Sequence, residues 1–538
     1  VSMNNVAVGT SAGQKITTGI QNTLIGGLAG DALLAAADNV AVGFEALSTE
    51  TGGQNNVAIG PRALKVQVNS SGNIYNTAVG ANAGAAVTTG VENTIIGALA
   101  GDALTIGYQN VVNGFQALSA ETTGSRNVAI GINALNVSNM GGGTSVTSYN
   151  VAVGALAGGA VTTGIENTII GGLAGDALTD ADYNVAVGAG ALSADTLGSR
   201  STAVGVFALN EQNFTTATDN YNTAVGMYAG RKVTTGLYNT LIGGNAGQAL
   251  TDADENVVVG VAALNSDTLG SRSVAIGYAA LNVQNFTTAT LSYNTAVGNR
   301  AGAAVTTGVQ NTLIGGLAGD ALTDSDYNVA VGYGALSADT LGARNTAIGQ
   351  EALGSQNFTT ATTSYNTAVG MNAGRLVTTG IQNVLIGGLA GDALTDADMN
   401  VAIGYLALSA DTLGSRSVAI GMNSLQAQNF TTATDTYNVA VGHNAGAEVT
   451  TGRSNTLIGG LAGDALTDAD YNVAIGTDAL TADTLGSNSV AVGVGALYTQ
   501  NFTTATNAYN VAVGRSAGLS VTTGINNTLI GGLSGDAL

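Results

Sequence analysis

Apolar and polar positions along this chain come in short bursts that return every 17 residues. The recurring phrase is Asn-Val/Thr-apolar-Val/Ile-Gly-x-x-Ala, beginning at Asn5, Asn22, Asn39 and Asn56 and continuing to Asn510 and Asn527. An apolar burst of three residues that ends on Gly is too short for a helix and predicts a short strand closed by a turn. There are 30 such coils, gathered in fours, with three of 17 residues and one longer in each group. Groups starting at Asn150, Asn222, Asn294, Asn366, Asn438 and Asn510 are each 72 residues apart. The predicted fold is all-β, a parallel β-solenoid (β-roll) of about 30 coils in a 72-residue, four-coil super-repeat. One coil cannot bury its own apolar face, so stacking must supply the core. Residues 1–538 read as a single continuous repeat region, cut at both ends from a longer fibre protein. With about 4.8 Å between stacked strands, the coils predict a rod of roughly 140 Å.

Each position in the coil has its own requirement. The fifth is Gly in all 30 coils, which predicts a turn with positive φ or a close backbone approach. The first is Asn in 26 coils and Ser in four, fitting either stacked amide ladders or a turn preference. The second (Val or Thr) and fourth (Val or Ile in 29 coils) share one strand face, assigned here to the interior. The third is mostly Ala but Leu or Ile in the second coil of each group, as at Ile169, Leu241 and Leu313. It points the opposite way and is therefore expected outside, where its apolar character predicts a partner packed against it. A second copy of the chain is the expected partner, and the variable length of the fourth coil predicts a surface loop.

Composition narrows the function. The chain has 79 Gly, one Pro, no Trp and no Cys, with 45% apolar and only 9% charged residues. A formal charge of -21 argues against a nucleic-acid partner, which needs clustered positive charge, and against an anionic membrane surface. No run of about 18 apolar residues is present, so no membrane insertion is expected in this segment. Without cysteine there is no disulfide framework and no thiolate metal site.

Candidate chemistry is sparse. The lone His443 has no recurring partner to orient it as a base and reads as a surface residue. The Gly315–Gly319 run lacks the Gly-Lys-Ser/Thr of a phosphate loop. Paired carboxylates on a turn can take Ca²⁺, which makes Asp180, Asp182, Asp396 and Asp398 candidate ligands, with Asp252, Asp254, Asp468 and Asp470 their equivalents. They lack the Gly-Gly-x-Gly-x-Asp pattern of calcium-binding rolls, and Arg200, diagonal to Asp182, offers a surface ion pair instead. A solvated or ion-paired turn is the favoured reading, and no metal or cofactor is expected. Threonines such as Thr234 and Thr235 suggest an ice-binding ladder, but Val/Ile-Thr-Thr-Gly occurs once per four coils rather than in every coil. Nearly every acid belongs to the repeat, so no catalytic cluster and no enzyme is expected. The long coil places Phe214, Phe286, Phe358, Phe430 and Phe502 at equal intervals. These are either surface knobs for a glycan or a neighbouring fibre, or rings folded onto the rod or into a seam between chains, and the second alternative is preferred.

The Asn-Thr-Ala-Val-Gly-x-x-Ala phrase with its Thr-Thr-Gly half, as in Asn294 to Val309, resembles the 17-residue repeats of phage tail-fibre-like proteins. It is similar in pattern to the shorter repeats of trimeric autotransporter adhesin heads. The resemblance covers the whole chain and implies a left-handed parallel β-roll, three chains packed intertwined or side by side, and an extracellular role as a virion tail fibre or cell-surface fibre. It implies a host-surface or glycan receptor as a further partner. The expected function is a fibre shaft or adhesin; a self-assembling extracellular filament is the alternative, and an ice-binding solenoid a remote one. Phage and cellular origin stay open at this point.

Overall fold

The computed structural model describes residues 3–538, and these contain strands, turns and no helix. They fall into two compact units, Val1–Ser271 with Thr287–Ala289 and Arg272–Phe286 with Thr290–Leu538. Each unit is a parallel β-solenoid. In the first, fifteen three-residue strands run from Val6–Val8 to Val257–Val259; in the second, fifteen run from Val274–Ile276 to Thr528–Ile530. Neighbouring coils pair in register, position on position: Thr223, Ala224 and Val225 face Thr240, Leu241 and Ile242 in the first unit. Thr295, Ala296 and Val297 face Thr312, Leu313 and Ile314 in the second.

The strand faces are the reverse of those expected from the pattern. The third position is the interior: Ala224, Leu241, Ala296 and Leu313 are fully buried. The second and fourth positions look outward and stay half-exposed, in the intermediate–buried–intermediate order typical of these strands. The reason lies in what sits across the coil. In the coil starting at Asn311, Leu313 fills the interior and the ninth residue is Gly319, where a Cβ would stand 2.8 Å from both Leu313 Cδ2 and Leu322 Cδ1. In the next coil the bulk is exchanged, Ala330 standing at the third position and Leu336 at the ninth, both fully buried. In these two coils the Leu/Gly and Ala/Leu pairs each supply one large side chain at this level, from opposite walls. An outward third position would not need this compensation.

The invariant glycine satisfies both of its expected demands. Gly298 has φ +144°, and a Cβ there would lie 2.3 Å from the carbonyl oxygen of Gly315 in the next coil. The first-position asparagines form a ladder. Asn294 Oδ1 accepts from both the backbone N–H (2.9 Å) and Nδ2 (3.3 Å) of Asn311, whose Nδ2 also donates to Ser325 O at 2.7 Å. These side chains satisfy carbonyls at the turn and link coil to coil, so the amide does both jobs proposed for it.

The long fourth coil returns to the preceding coil through a second, two-residue pairing, as Gly198–Ser199 with Thr218–Asp219 and Gly342–Ala343 with Thr362–Thr363. Beneath each loop lies a buried carboxylate at the twelfth position of the third coil. Asp195, Asp267, Asp339, Asp411 and Asp483 play this part, with Glu50 and Glu121 in the earlier groups, and all seven are fully buried. Asp339 Oδ1 accepts from the N–H groups of Gly342 (3.0 Å) and Phe358 (3.1 Å), and Oδ2 from Gln356 Nε2 at 2.6 Å. A buried acid thus fastens the loop backbone that the varying coil length would otherwise leave loose.

Candidate interaction surface

Two outward rows give each unit a periodic apolar surface. The second position supplies Val or Thr and the fourth Val or Ile on successive strands, with no other part of the same unit packed over them. Ile170 and Ile242 in the first unit, and Ile314, Ile386 and Ile458 in the second, each expose 36–39% of their surface. Scattered apolar residues at such exposure are ordinary, but a row repeated on every strand is a contiguous patch.

Tyrosines and arginines recur at the residue just before the first position of the coil and make an aromatic and cationic row beside the strand in part of each group. This turn residue adopts the left-handed conformation, as at Tyr183 (φ 60°), Arg200 (φ 66°) and Tyr221 (φ 53°). Such a backbone points the side chain away from the core, and three successive coils stack Tyr183, Arg200 and Tyr221 along the surface. The Arg200 guanidinium lies 5.1 Å from the Tyr183 ring and 5.6 Å from the Tyr221 ring, and Tyr221 in turn stacks on Tyr238 at 5.8 Å. The pattern returns in the second unit, where Arg344 lies 4.8 Å from the Tyr327 ring and 5.9 Å from that of Tyr365. The signal was available in the sequence: Arg126, Arg200, Arg272, Arg344 and Arg416 are five of only 14 basic residues and occupy one coil position.

The Arg200 backbone N–H donates to Asp182 O at 3.0 Å, but its guanidinium does not pair with the Asp182 carboxylate. It pairs with Asp219 on the long loop at 3.0 Å, which raises the guanidinium pKa further, and Arg416 pairs with Asp435 at 2.9 Å in the same way. Asp180 and Asp182 are taken up by the coil before them: Thr163 Oγ1 donates to Asp180 at 2.6 Å and the Ile165 N–H to Asp182 at 2.8 Å. Asp396 and Asp398 receive Thr379 Oγ1 (2.7 Å) and the Ile381 N–H (2.8 Å) identically. Asp252 and Asp254 repeat the arrangement with Thr235 and Leu237, and Asp468 and Asp470 with Thr451 and Arg453. The geometry does not gather the paired acids into a cage; among the described residues no three His, Cys, Asp or Glu side chains converge as metal ligands would.

The phenylalanines turn inward. Phe214, Phe286, Phe358, Phe430 and Phe502 expose only 5–6% of their surface. Phe358 lies over Gly342, where a Cβ would come within 2.8 Å of its ring and closer still to Asp339 Oδ2. The tips of these loops present threonines instead, Thr359 and Thr360 among them. His443 is exposed, and Gly315–Gly319 belongs to the stacked turns, Gly315 lying against the Gly332 backbone.

Fold and surface together define a parallel β-solenoid repeat protein with a periodic apolar outer face. No protein-family model matches the chain. A search of curated proteins likewise finds no match.

Proposed function

We propose that the chain is the repeat section of a structural attachment fibre, displayed outside a virion or cell, whose copies associate through the outward second- and fourth-position rows. The observation that carries this reading is the unpartnered Val/Thr and Val/Ile face, present on successive strands of each unit. A second copy is the partner that best fits it, because a surface with a rise of about 4.8 Å per coil is matched along its length only by another of the same period. Burying the exposed part of one Ile or Val yields about 0.5–1 kcal/mol. Fifteen strands of one unit then give roughly 7–15 kcal/mol from the fourth row alone, comparable to an association cost of ~4–15 kcal/mol, and the second row tips the balance.

Three copies about one axis is the arrangement implied by the resemblance to fibre and adhesin repeats, and a non-catalytic role goes with it. Sedimentation equilibrium tests the reading directly. A trimer is expected, dissociated by Ile314→Lys, Ile386→Lys and Ile458→Lys together; a folded monomer of the unaltered chain overturns it.

A further inference from the structure

On the surface of the second unit a cleft of about 330 Å³ is lined by Tyr278, Asn282, Arg300, Ala303, Ala304 and Asp320. Tyr278 and Arg300 are departures from the repeat. The residues in the place of Tyr278 are Val206, Gln350, Met422 and Val494, and those in the place of Arg300 are Leu156, Tyr228, Asn372 and Asn444. The floor is open because two small residues form it: where this cleft has Ala303 and Ala304, the preceding and following groups have Arg231–Lys232 and Arg375–Leu376, and where the floor is equally small, at Ala85–Ala86, Pro61 and Asn82 stand in the places of Tyr278 and Arg300.

The backbone holds the walls together. The Arg300 N–H donates to Tyr278 O at 2.8 Å and the Ala304 N–H to Asp320 O at 3.0 Å, so the three side chains rise from adjacent, stacked turns. Tyr278 is 57% exposed and offers its ring to the cleft mouth. Asp320 is half-buried, and burial pushes its carboxyl up while the Arg300 charge pulls it down. Among the described residues neither charged group closes a hydrogen bond or an ion pair with the other.

We propose that this cleft binds one pyranose unit of a surface glycan. An aromatic ring at the rim suits the apolar C–H face of a sugar, a carboxylate accepts from its hydroxyls and a guanidinium donates to its oxygens. One acid and one base leave the cleft without net charge, which favours a neutral polyol over an anion or a cation. The cleft is of the size that a single ring fills and too small for a folded partner. This assignment rests on the attachment part of the proposed function and supplies it with a recognition site.

The test is saturation-transfer NMR of the full chain with a panel of methyl pyranosides: glucoside, galactoside, mannoside, N-acetylglucosaminide and glucuronide. Transfer to at least one neutral sugar is expected. It should fall about tenfold in Tyr278→Ala and vanish in Ala303→Arg, while Tyr405→Ala, another exposed tyrosine, leaves it unchanged. Ala303→Arg introduces the residue that the repeat already accommodates at Arg231 and Arg375, so it should fold, and an unchanged melting temperature verifies this. Absence of transfer to every sugar, transfer to the glucuronide alone, or transfer that survives Ala303→Arg overturns the proposal. Sedimentation of the same samples keeps the two readings apart. A chain that associates without binding sugar loses only the cleft, and one that binds sugar as a monomer loses only the fibre.

Discussion

Gln212 Nε2 donates a hydrogen bond of 2.6 Å to Asp195 Oδ2 inside the solenoid, and Gln212 Oε1 accepts from Asn222 Nδ2 at 2.9 Å. An acid is thereby joined to the asparagine ladder of the next group through one amide. Asp411, Gln428 and Asn438 repeat the chain at 2.5 and 2.9 Å. Every partner of these carboxylates is a neutral donor, so burial dominates and raises the pKa of both Asp195 and Asp411, against the weaker lowering by the Gln and backbone N–H bonds.

Stability should therefore rise on acidification. With the folded pKa above the unfolded value, the native state holds the proton more tightly. The stabilisation is complete below the ordinary carboxylate range of about 4 and is lost as pH climbs through the raised pKa. Asp102, Asp176, Asp320, Asp392 and Asp464, raised by partial burial, act in the same direction. Relief of repulsion in a chain of charge -21 would also favour acid, so the control is the double variant Asp195→Asn, Asp411→Asn. Thermal melts from about pH 7 to about pH 4 should show a shallower pH dependence in the variant; an identical slope would assign the effect to net charge.

The exchange of bulk between the third and ninth positions predicts a rescue. Leu313→Ala should cost about 2–5 kcal/mol, as expected for a fully buried Leu, rather than merely weakening association. Adding Gly319→Leu supplies bulk like that of Leu336 beside Ala330 and should recover part of that loss once the end of the Leu322 side chain, 2.8 Å from a Cβ at Gly319, swings into the space Leu313 leaves. Leu336 shows that Leu tolerates this turn, with φ 54°. Chemical denaturation of the two single variants and the double gives the coupling energy, and simple additivity would contradict the account.

The period, the parallel stacking and the invariant glycine were legible because each is a one-dimensional signal that a repeat writes many times. Which face lies inside was not. Positions three and four are apolar and position two is Val or Thr, so the usual contrast between a wet and a dry face is weak, and alternation alone could not decide between Leu313 and Ile314. The deciding information is the covariation of Leu313 with Gly319 and of Ala330 with Leu336, which links residues six apart across a turn. A Phe358 folded onto the rod or into a seam was the preferred reading, but what holds it was not legible: its backbone is anchored by the Asp339 carboxylate, which lies one coil earlier.

The long loops should contribute to stability. Phe358→Ser removes a ring that is 6% exposed and opens the Asp339 carboxylate to solvent. A loss of about 3–5 kcal/mol is expected from the aromatic alone. Trimming Gln356 to Thr362 removes the Gln356 amide and the Phe358 N–H together and should cost more. Melting followed by circular dichroism checks both, and an unchanged melting temperature after trimming would make the loops ornamental.

Chelation should leave melting unchanged. Asp180, Asp252, Asp396 and Asp468 each already accept from a threonine hydroxyl at 2.6–2.7 Å, and their companions two residues on accept from a backbone N–H. These bonds satisfy the carboxylates within the coil stack, so a cation would gain little by displacing them. A fall of several degrees in EDTA, restored by Ca²⁺, would reverse this assignment.

Association through the outer rows should depend steeply on the number of coils. Each added coil contributes another second-position and fourth-position pair to the interface, whereas the loss of translational and rotational freedom is incurred once. At about 0.5–1 kcal/mol per fourth-position residue, a single four-coil group offers roughly 2–4 kcal/mol from that row, less than or at best equal to an association cost of ~4–15 kcal/mol. Two groups approach balance, and four, with the second row added, exceed it. Chains of one, two and four super-repeats cut at Asn222, Asn294, Asn366, Asn438 and Asn510 should therefore pass from monomer to oligomer over a narrow range of length. Circular dichroism of each piece establishes that it is folded before its mass is read by sedimentation. Folded pieces of every length that share one association constant would show that the contact is a local patch, not the continuous rows of Val, Thr and Ile.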